Sequence, residues 1–277
     1  MAATLLKHGI HVDNFQFDSI EKVNLFLLTH GHSDHSKSSL KRFKPMVYCS
    51  YLTSLLINHK PVIYLVPNQW YEVNKIHFYV FETVHCPGGL GFFFPDLGIL
   101  HLGDSRISPS LLTLFKELKP QIILYDNTHS YYKGMFPSIE TSSMLLNSVI
   151  KEELEEKKKP TIRLCVPHIG ALLLLHLLHL KVKPEIDSLK PHVLIMLEAL
   201  KLRDDKSPVI IVGMKADNIE IMPSSQYFVI NKLDPNHIVF DKAKNNLIRL
   251  FASFHAGFSE ISLLSDYKLE SLHSDDN

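Results

Sequence analysis

The chain of 277 residues carries 29 Lys plus Arg against 29 Asp plus Glu, so its formal net charge is zero. That balance excludes a uniformly basic coat for nucleic acid, though not a local basic patch. With 45% hydrophobic and 21% charged residues, the composition is that of a globular protein and not of a disordered or collagen-like one.

The first 130 residues read as strands broken by turns. Continuous apolar runs of strand length lie at Val23–Thr29, Val62–Val66, Ile76–Val84 and Ile122–Tyr125. Helical patterns fall between them at Ser36–Arg42, Leu52–Asn58 and Pro109–Leu118, the last with Ser108 as N-cap and Pro109 at its first position. Strands and helices alternating over short connections predict an α/β layered fold. From Ser138 the texture changes: Ser138–Lys158 predicts one long helix, acidic near its start, basic at its end and stopped by Pro160. The run KEELEEKKK inside it reads as a solvated face. A strand at Thr161–Val166, a Leu-rich helix after Gly170, a helix near His192–Leu202 and strands at Val209–Val212 and Leu247–Phe254 complete the pattern.

Cys49, Cys86 and Cys165 are odd in number and form no CxxC pair, which excludes a disulfide scaffold and points to a reducing, intracellular compartment. The longest apolar stretch, Ile169–Leu180, falls short of the roughly 20 residues a membrane span needs. No membrane segment and no signal peptide are expected.

The informative feature is histidine, the commonest metal ligand, present 17 times. Five apolar runs each end on their carboxyl side in a His or an Asp: His30, His85, Asp104, Asp126 and His255. In α/β sheets ligands bind beyond the carboxyl ends of strands, so these side chains are placed to converge. In the stretch HGHSDH, His30 and His32 stand two apart and share a face of extended chain. Asp34 and His35 follow a turn and face a neighbouring point. One segment thus offers two ligands to each of two adjacent sites; His85 is placed to complete the first and His255 the second, with Asp104 bridging. Nitrogen and carboxylate donors without thiolate suit Zn²⁺, and also Mn²⁺ or Fe. His101 is out of phase with Asp104 along its strand and is expected to face the opposite side.

These residues resemble the metallo-β-lactamase superfamily, and within it the β-CASP nucleases of the DNA cross-link repair and Artemis type. The matching segments are VDNFQF at 12–17, LLTHGHSDH at 27–35, HCPGG at 85–89, LHLGDSR at 100–106, YDNTH at 125–129 and FPSIETS at 136–142, with weaker likeness at 162–170 and 253–258. The resemblance implies an α/β fold, an αββα sandwich built by residues 1–131 and 244–277, with a reduced β-CASP α/β cap of 132–243 inserted. It implies a first metal on His30, His32, His85 and Asp104, and a second on Asp34, His35, Asp104 and His255. Asp13 is implied as a supporting residue and Asp126 as a site residue at the start of the cap. Ala256 stands where the family has Ser, the family's final strand is expected to be missing, and His168-Ile169-Gly170-Ala171 replaces a turn that ends in Lys.

The expected activity is phosphodiester hydrolysis by a metal-bound hydroxide, with one or two Zn²⁺, Asp34 and Asp126 catalytic, and Thr128, His168 and Gly170 receiving a terminal phosphate. Arg106 and Lys133 are candidate phosphate neighbours, and Tyr131, Tyr132 and Phe136 candidates for base stacking. The substrate is expected to be single-stranded DNA, RNA or both, attacked from a 5′ end, with no obligatory protein partner. The alternatives are an RNA-processing ribonuclease and a lactamase-like hydrolase of small amides or thioesters.

Overall fold

A computed structural model describes residues 4–6, 9–15, 25–36, 40, 43–57, 59–130, 136–166, 168–214, 216, 218–224, 240–242, 248–251 and 255–272. The chain divides into two units, one of Met1–Lys133 with His255–Asn277 and one of Gly134–Phe254. Among the described residues no helix is long and apolar enough to cross a membrane.

In the first unit, β1 (Thr4–Leu6), β2 (Ile10–Val12), β3 (Leu25–Leu27), β4 (Val47–Cys49) and, after the short helix α1 (Tyr51–Ser54), β5 (Val62–Tyr64) form one sheet in sequence order. Only β1–β2 is antiparallel. A second sheet holds β6 (Gln69–Val73), β7 (Ile76–Glu82), β8 (Leu90–Phe94), β9 (Ile99–His101) and β10 (Ile122–Tyr125), with helix α2 (Pro109–Leu118) between the last two. The Ser108 hydroxyl caps α2 by accepting from Leu111 N–H, as its sequence predicts.

Alternation along the strands shows how the sheets are layered. Leu25 and Leu27 join Ile10 and Val12 in one apolar cluster with Phe78, Val80, Phe92, Phe94 and Leu124 of the second sheet. Phe26 and Leu28, one residue out of phase, turn to an outer cluster with Leu40, Phe43, Val47 and Cys49. In the second sheet Phe81, Phe93, Leu100 and Ile123 face outward onto Leu111 and Phe115, one turn apart on α2. Each sheet is therefore apolar on both faces, and the unit is the αββα sandwich. Each large side chain buried in these layers contributes roughly 1.5–3 kcal/mol.

The second unit is built on α3 (Ile139–Lys151), β11 (Ile162–Cys165), α4 (Leu172–Leu177), β12 (Lys183–Pro184), α5 (Pro191–Ala199), β13 (Val209–Val212), β14 (Ile221–Ser224), β15 (Phe240–Lys242) and β16 (Ile248–Phe251). Its sheet has the order β12-β13-β11-β14-β16-β15, parallel except for β15–β16. The helix predicted to reach Lys158 leaves α geometry after Lys151 for a π turn, Glu152–Glu156. Glu153, expected on a solvated face, is buried there with Lys157 and Lys159 Nζ at 2.7 and 2.6 Å.

The chain then returns to the first unit through α6 (Phe258–Ile261) and β17 (Lys268–Ser271), which pairs in parallel with β10. A strand therefore follows His255 in a stretch where the sequence pattern pointed to none. Its register, Ile122 opposite Lys268 through Tyr125 opposite Ser271, closes the second sheet on that edge.

Candidate metal centre

Beyond the ends of β3, β7, β9 and β10, the chain places His30, His85, Asp104 and Asp126, and all four are buried. After β7 the turn Cys86–Gly89 reverses the chain into β8, with Gly89 N–H bonded to the Cys86 carbonyl at 3.0 Å. Gly88 sits at φ +83°, and a Cβ there would lie 2.7 Å from Leu52 Cβ, so glycine is required on both counts.

Three imidazole nitrogens meet at one point. His32 Nδ1 lies 3.0 Å from His30 Nε2 and 2.9 Å from His85 Nε2. A ring nitrogen carries either one proton or one lone pair, so His32 Nδ1 cannot satisfy both neighbours by hydrogen bonding. A cation bound by His30, His32 and His85 would accept a lone pair from each. Asp104 Oδ2 stands 3.9 Å from His30 Nε2, 3.8 Å from His85 Nε2 and 3.3 Å from His35 Nε2, so one carboxylate oxygen adjoins both halves of the cluster. His35 Nε2 also faces Asp34 Oδ2 at 3.6 Å. Asp104 Oδ1 is buried with no hydrogen-bond partner among the described residues, a costly state for a carboxylate oxygen without an ion. His30, His32 and His85, then His30, His35 and Asp104, then His85, Asp104 and His255 each form a group with ligand atoms close enough to hold a metal.

Behind these candidate ligands stand two buried carboxylates, Asp13 and Asp126, that fix ring orientation. Asp13 Oδ1 accepts from Thr29 N–H at 2.7 Å, and Oδ2 accepts from the Thr29 hydroxyl at 2.6 Å and from His35 Nδ1 at 2.9 Å. The Thr29 oxygen in turn lies 2.9 Å from His30 Nδ1. With the Nδ1 proton held there, the Nε2 lone pair of His30 faces inward. Asp126 does the same for His255: its Oδ2 is 2.5 Å from His255 Nδ1, while Oδ1 accepts from Thr128 N–H at 2.9 Å.

The electrostatics divide the histidines. Burial, and then the facing His85, His35, His32 and His255, holds His30 well below its ordinary pKa. Burial works against charge on His35 too, but Asp13 and Asp104 override it and push its pKa up to about 11. His255 is raised likewise, burial being outweighed by Asp126.

The first unit thus gathers Asp13, His30, His32, Asp34, His35, His85, Asp104, Asp126 and His255. Thr128 is exposed with its amide committed to Asp126. His168 and Gly170 belong to the second unit, at the start of a 3₁₀ turn, Ile169–Ala171, in which Gly170 is buried. Arg106 is a buried partner of Glu260 rather than a phosphate neighbour, with Nε 2.8 and 2.9 Å from the two carboxylate oxygens. Tyr131, Tyr132 and Lys133 lie outside the described residues.

Three residues escaped the sequence reading. Thr29 links Asp13 to His30, and the polar residue just before His30 was its only signal. His129 packs its ring 5.4 Å from that of His255, and burial lowers its pKa to about 4. His101, expected to face away from Asp104, is fully buried; burial lowers its pKa to about 4 although it feels the charges of Asp13 and Asp104.

No protein-family model matches the chain. Human DNA cross-link repair 1A protein is 34% identical over 140 residues, 47% of this chain. DNA cross-link repair protein pso2/snm1 of Schizosaccharomyces pombe is 33% identical over 141 residues, 46% of this chain. About half of this chain is homologous to the DNA cross-link repair proteins. The chicken protein 5′ exonuclease Apollo is 27% identical over 167 residues, 53% of the chain. These matches cover 14%, 25% and 35% of those proteins, so the chain spans only a minor part of each. Over 90% of this chain and 74% of the other, the fold superposes on a protein of unknown function from Enterococcus faecalis V583, with TM-score 0.51 and 17% identity.

Proposed function

We propose that the chain is a metal-dependent phosphodiester hydrolase of the β-CASP nuclease branch, acting on single-stranded nucleic acid from a 5′ end. The observation that carries this reading is the convergence of His30, His32 and His85 nitrogens beside Asp104. Homology to the cross-link repair proteins and Apollo supports nucleic acid as the substrate. In this reading the first unit is the metallo-β-lactamase domain and the second the cap, and the protein works inside the cell, where its three unpaired, buried cysteines remain reduced.

His30, His32, His85 and Asp104 would hold a first ion, and Asp34, His35, Asp104 and His255 a second. The donors suit Zn²⁺ first, with Mn²⁺ or Fe also compatible. Such ions acidify water and draw charge from a phosphoryl oxygen. The protein's own groups do the rest. Asp34 is the open carboxylate of the set, its side chain 64% exposed, so it can take a proton from water on the substrate side. Asp13 and Asp126 hold the rings of His30, His35 and His255 in place and keep their proton-bearing nitrogens turned away from the centre. The exposed Thr128 is assigned to the terminal phosphate.

Incubation of the full chain with 5′-phosphorylated single-stranded DNA, the same RNA and a chromogenic lactam tests this reading. Metal-dependent cutting of nucleic acid is expected, with at least about a hundredfold loss in Asp34→Asn. Lactam turnover without cutting, or Asp34→Asn cutting as fast as the parent, would overturn it.

A further inference from the structure

Helix α1 and strand β5 present aromatic side chains to solvent, and α1 with its flanking residues packs on the loops that carry His30, His32 and His85. Tyr51 is 55% and Tyr64 54% exposed, with ring centroids 5.5 Å apart and planes at 83°, so one ring shows its edge to the face of the other. Met46, Ile63, Val66 and Trp70 are exposed as well, and β5 and β6 are the outer strands of their sheets. Tyr51 is anchored to the histidine loops. Its neighbours Ser50 and Thr53 both donate hydroxyl bonds to the Gly88 carbonyl, at 2.6 and 3.2 Å, three residues beyond His85. A Cβ on Gly31, between His30 and His32, would lie 2.6 Å from Leu56 Cδ1 just after α1.

The charge of this segment is one-sided. From His35 to Tyr71 the sequence holds Lys37, Lys41, Arg42, Lys44 and Lys60 and no Asp or Glu, in a chain whose net charge is zero. Lys44 and Lys60 are exposed. Exposed aromatic rings on an acid-free, cationic stretch match a polyanion with flat bases, not an apolar peptide or a small neutral amide.

We propose that Tyr51 and Tyr64 form a stacking step on which bases of single-stranded nucleic acid rest as the strand runs to or from the metal centre. The proposal rests on the nuclease reading and deepens it: the segment's cations meet phosphates while the tyrosines meet bases.

The test is fluorescence anisotropy with the full chain and two probes, a cleavage-resistant phosphorothioate dodecathymidylate and an abasic strand with the same number of phosphates. The parent should bind the thymidylate roughly tenfold or more tightly than the abasic strand. Tyr51→Ala with Tyr64→Ala should erase that difference, and Tyr51→Phe with Tyr64→Phe should keep it, because stacking needs the ring and not the hydroxyl. Circular dichroism checks that the variants remain folded. Equal binding of the two probes by the parent, or an unchanged difference in the alanine variant, would overturn the step, as would a change in oligomeric state alone. Base-dependent binding by a parent that cuts no oligonucleotide would instead sink the nuclease reading and leave the step standing.

Discussion

Replacing Asp13 by Asn tests the buried support beneath the candidate metal centre. Asp13 lies at φ +55°, a conformation Asn adopts as readily as Asp, so the backbone is unperturbed and only the charge and one acceptor are lost. The carboxylate accepts three bonds, two from Thr29 and one from His35. Whichever way the new amide turns, its NH₂ faces a buried donor. A buried donor left unsatisfied costs about 1–3 kcal/mol, and His35 loses its charged partner as well, so about 3–5 kcal/mol of stability should go. The sole tryptophan, Trp70 on β6, reports unfolding of the first unit during urea titration. Because Asp13 orients His30 through Thr29 and His35 directly, Zn²⁺ affinity measured against a chromophoric chelator should fall about 10–100-fold. A variant within about 0.5 kcal/mol of the parent, with unchanged Zn²⁺ affinity, would refute the reasoning.

Two further outcomes follow from burial. Glu260→Gln removes the carboxylate charge paired with the buried Arg106 guanidinium and should cost about 3–5 kcal/mol in the same urea assay, whereas an exposed pair would cost under about 1 kcal/mol. In metal-free protein His30 and His101 are held neutral, His101 with its pKa near 4, while an unfolded histidine titrates near 6.5. Below pH 6.5 the unfolded chain therefore takes up protons that the folded chain refuses, and stability falls by up to about 1.4 kcal/mol per pH unit for each such histidine. His35 acts on the other side: its stabilising charge is fully present below pH 6.5 and is lost as pH rises towards 11. Urea midpoints for the metal-free protein should therefore peak near pH 6.5, and a midpoint that climbs as the pH is lowered to about 4.5 would contradict the assignment.

The clustering of His30, His85 and Asp104 was legible in sequence because strand ends concentrate polar residues where the sheet stops, and each of the three breaks an apolar run. α2 was legible down to its cap, since Ser108 and Pro109 carry the local signal themselves. What stayed hidden depends on partners far along the chain. Nothing near Arg106 announces Glu260, 154 residues away. The burial of Glu153 follows from a π turn, which shifts side-chain phase without a marker residue. Thr29 looks like any strand threonine until Asp13 is seen to accept from it. β17 was overlooked because KLES has no apolar alternation; β10 supplies its pairing.

That pairing has a consequence for synthesis. β10 and β17 lie on opposite sides of the whole second unit in the sequence, so a ribosome releases β10 well before its neighbour exists. The nascent chain waits with an open parallel edge while the 142 residues between Tyr125 and Lys268 emerge, an interval in which such an edge is exposed to wrong partners. A product halted within the second unit keeps His30, His32, His85 and Asp104 but has neither His255 nor β17. His255 thereby joins the candidate centre only after the whole second unit has been synthesised.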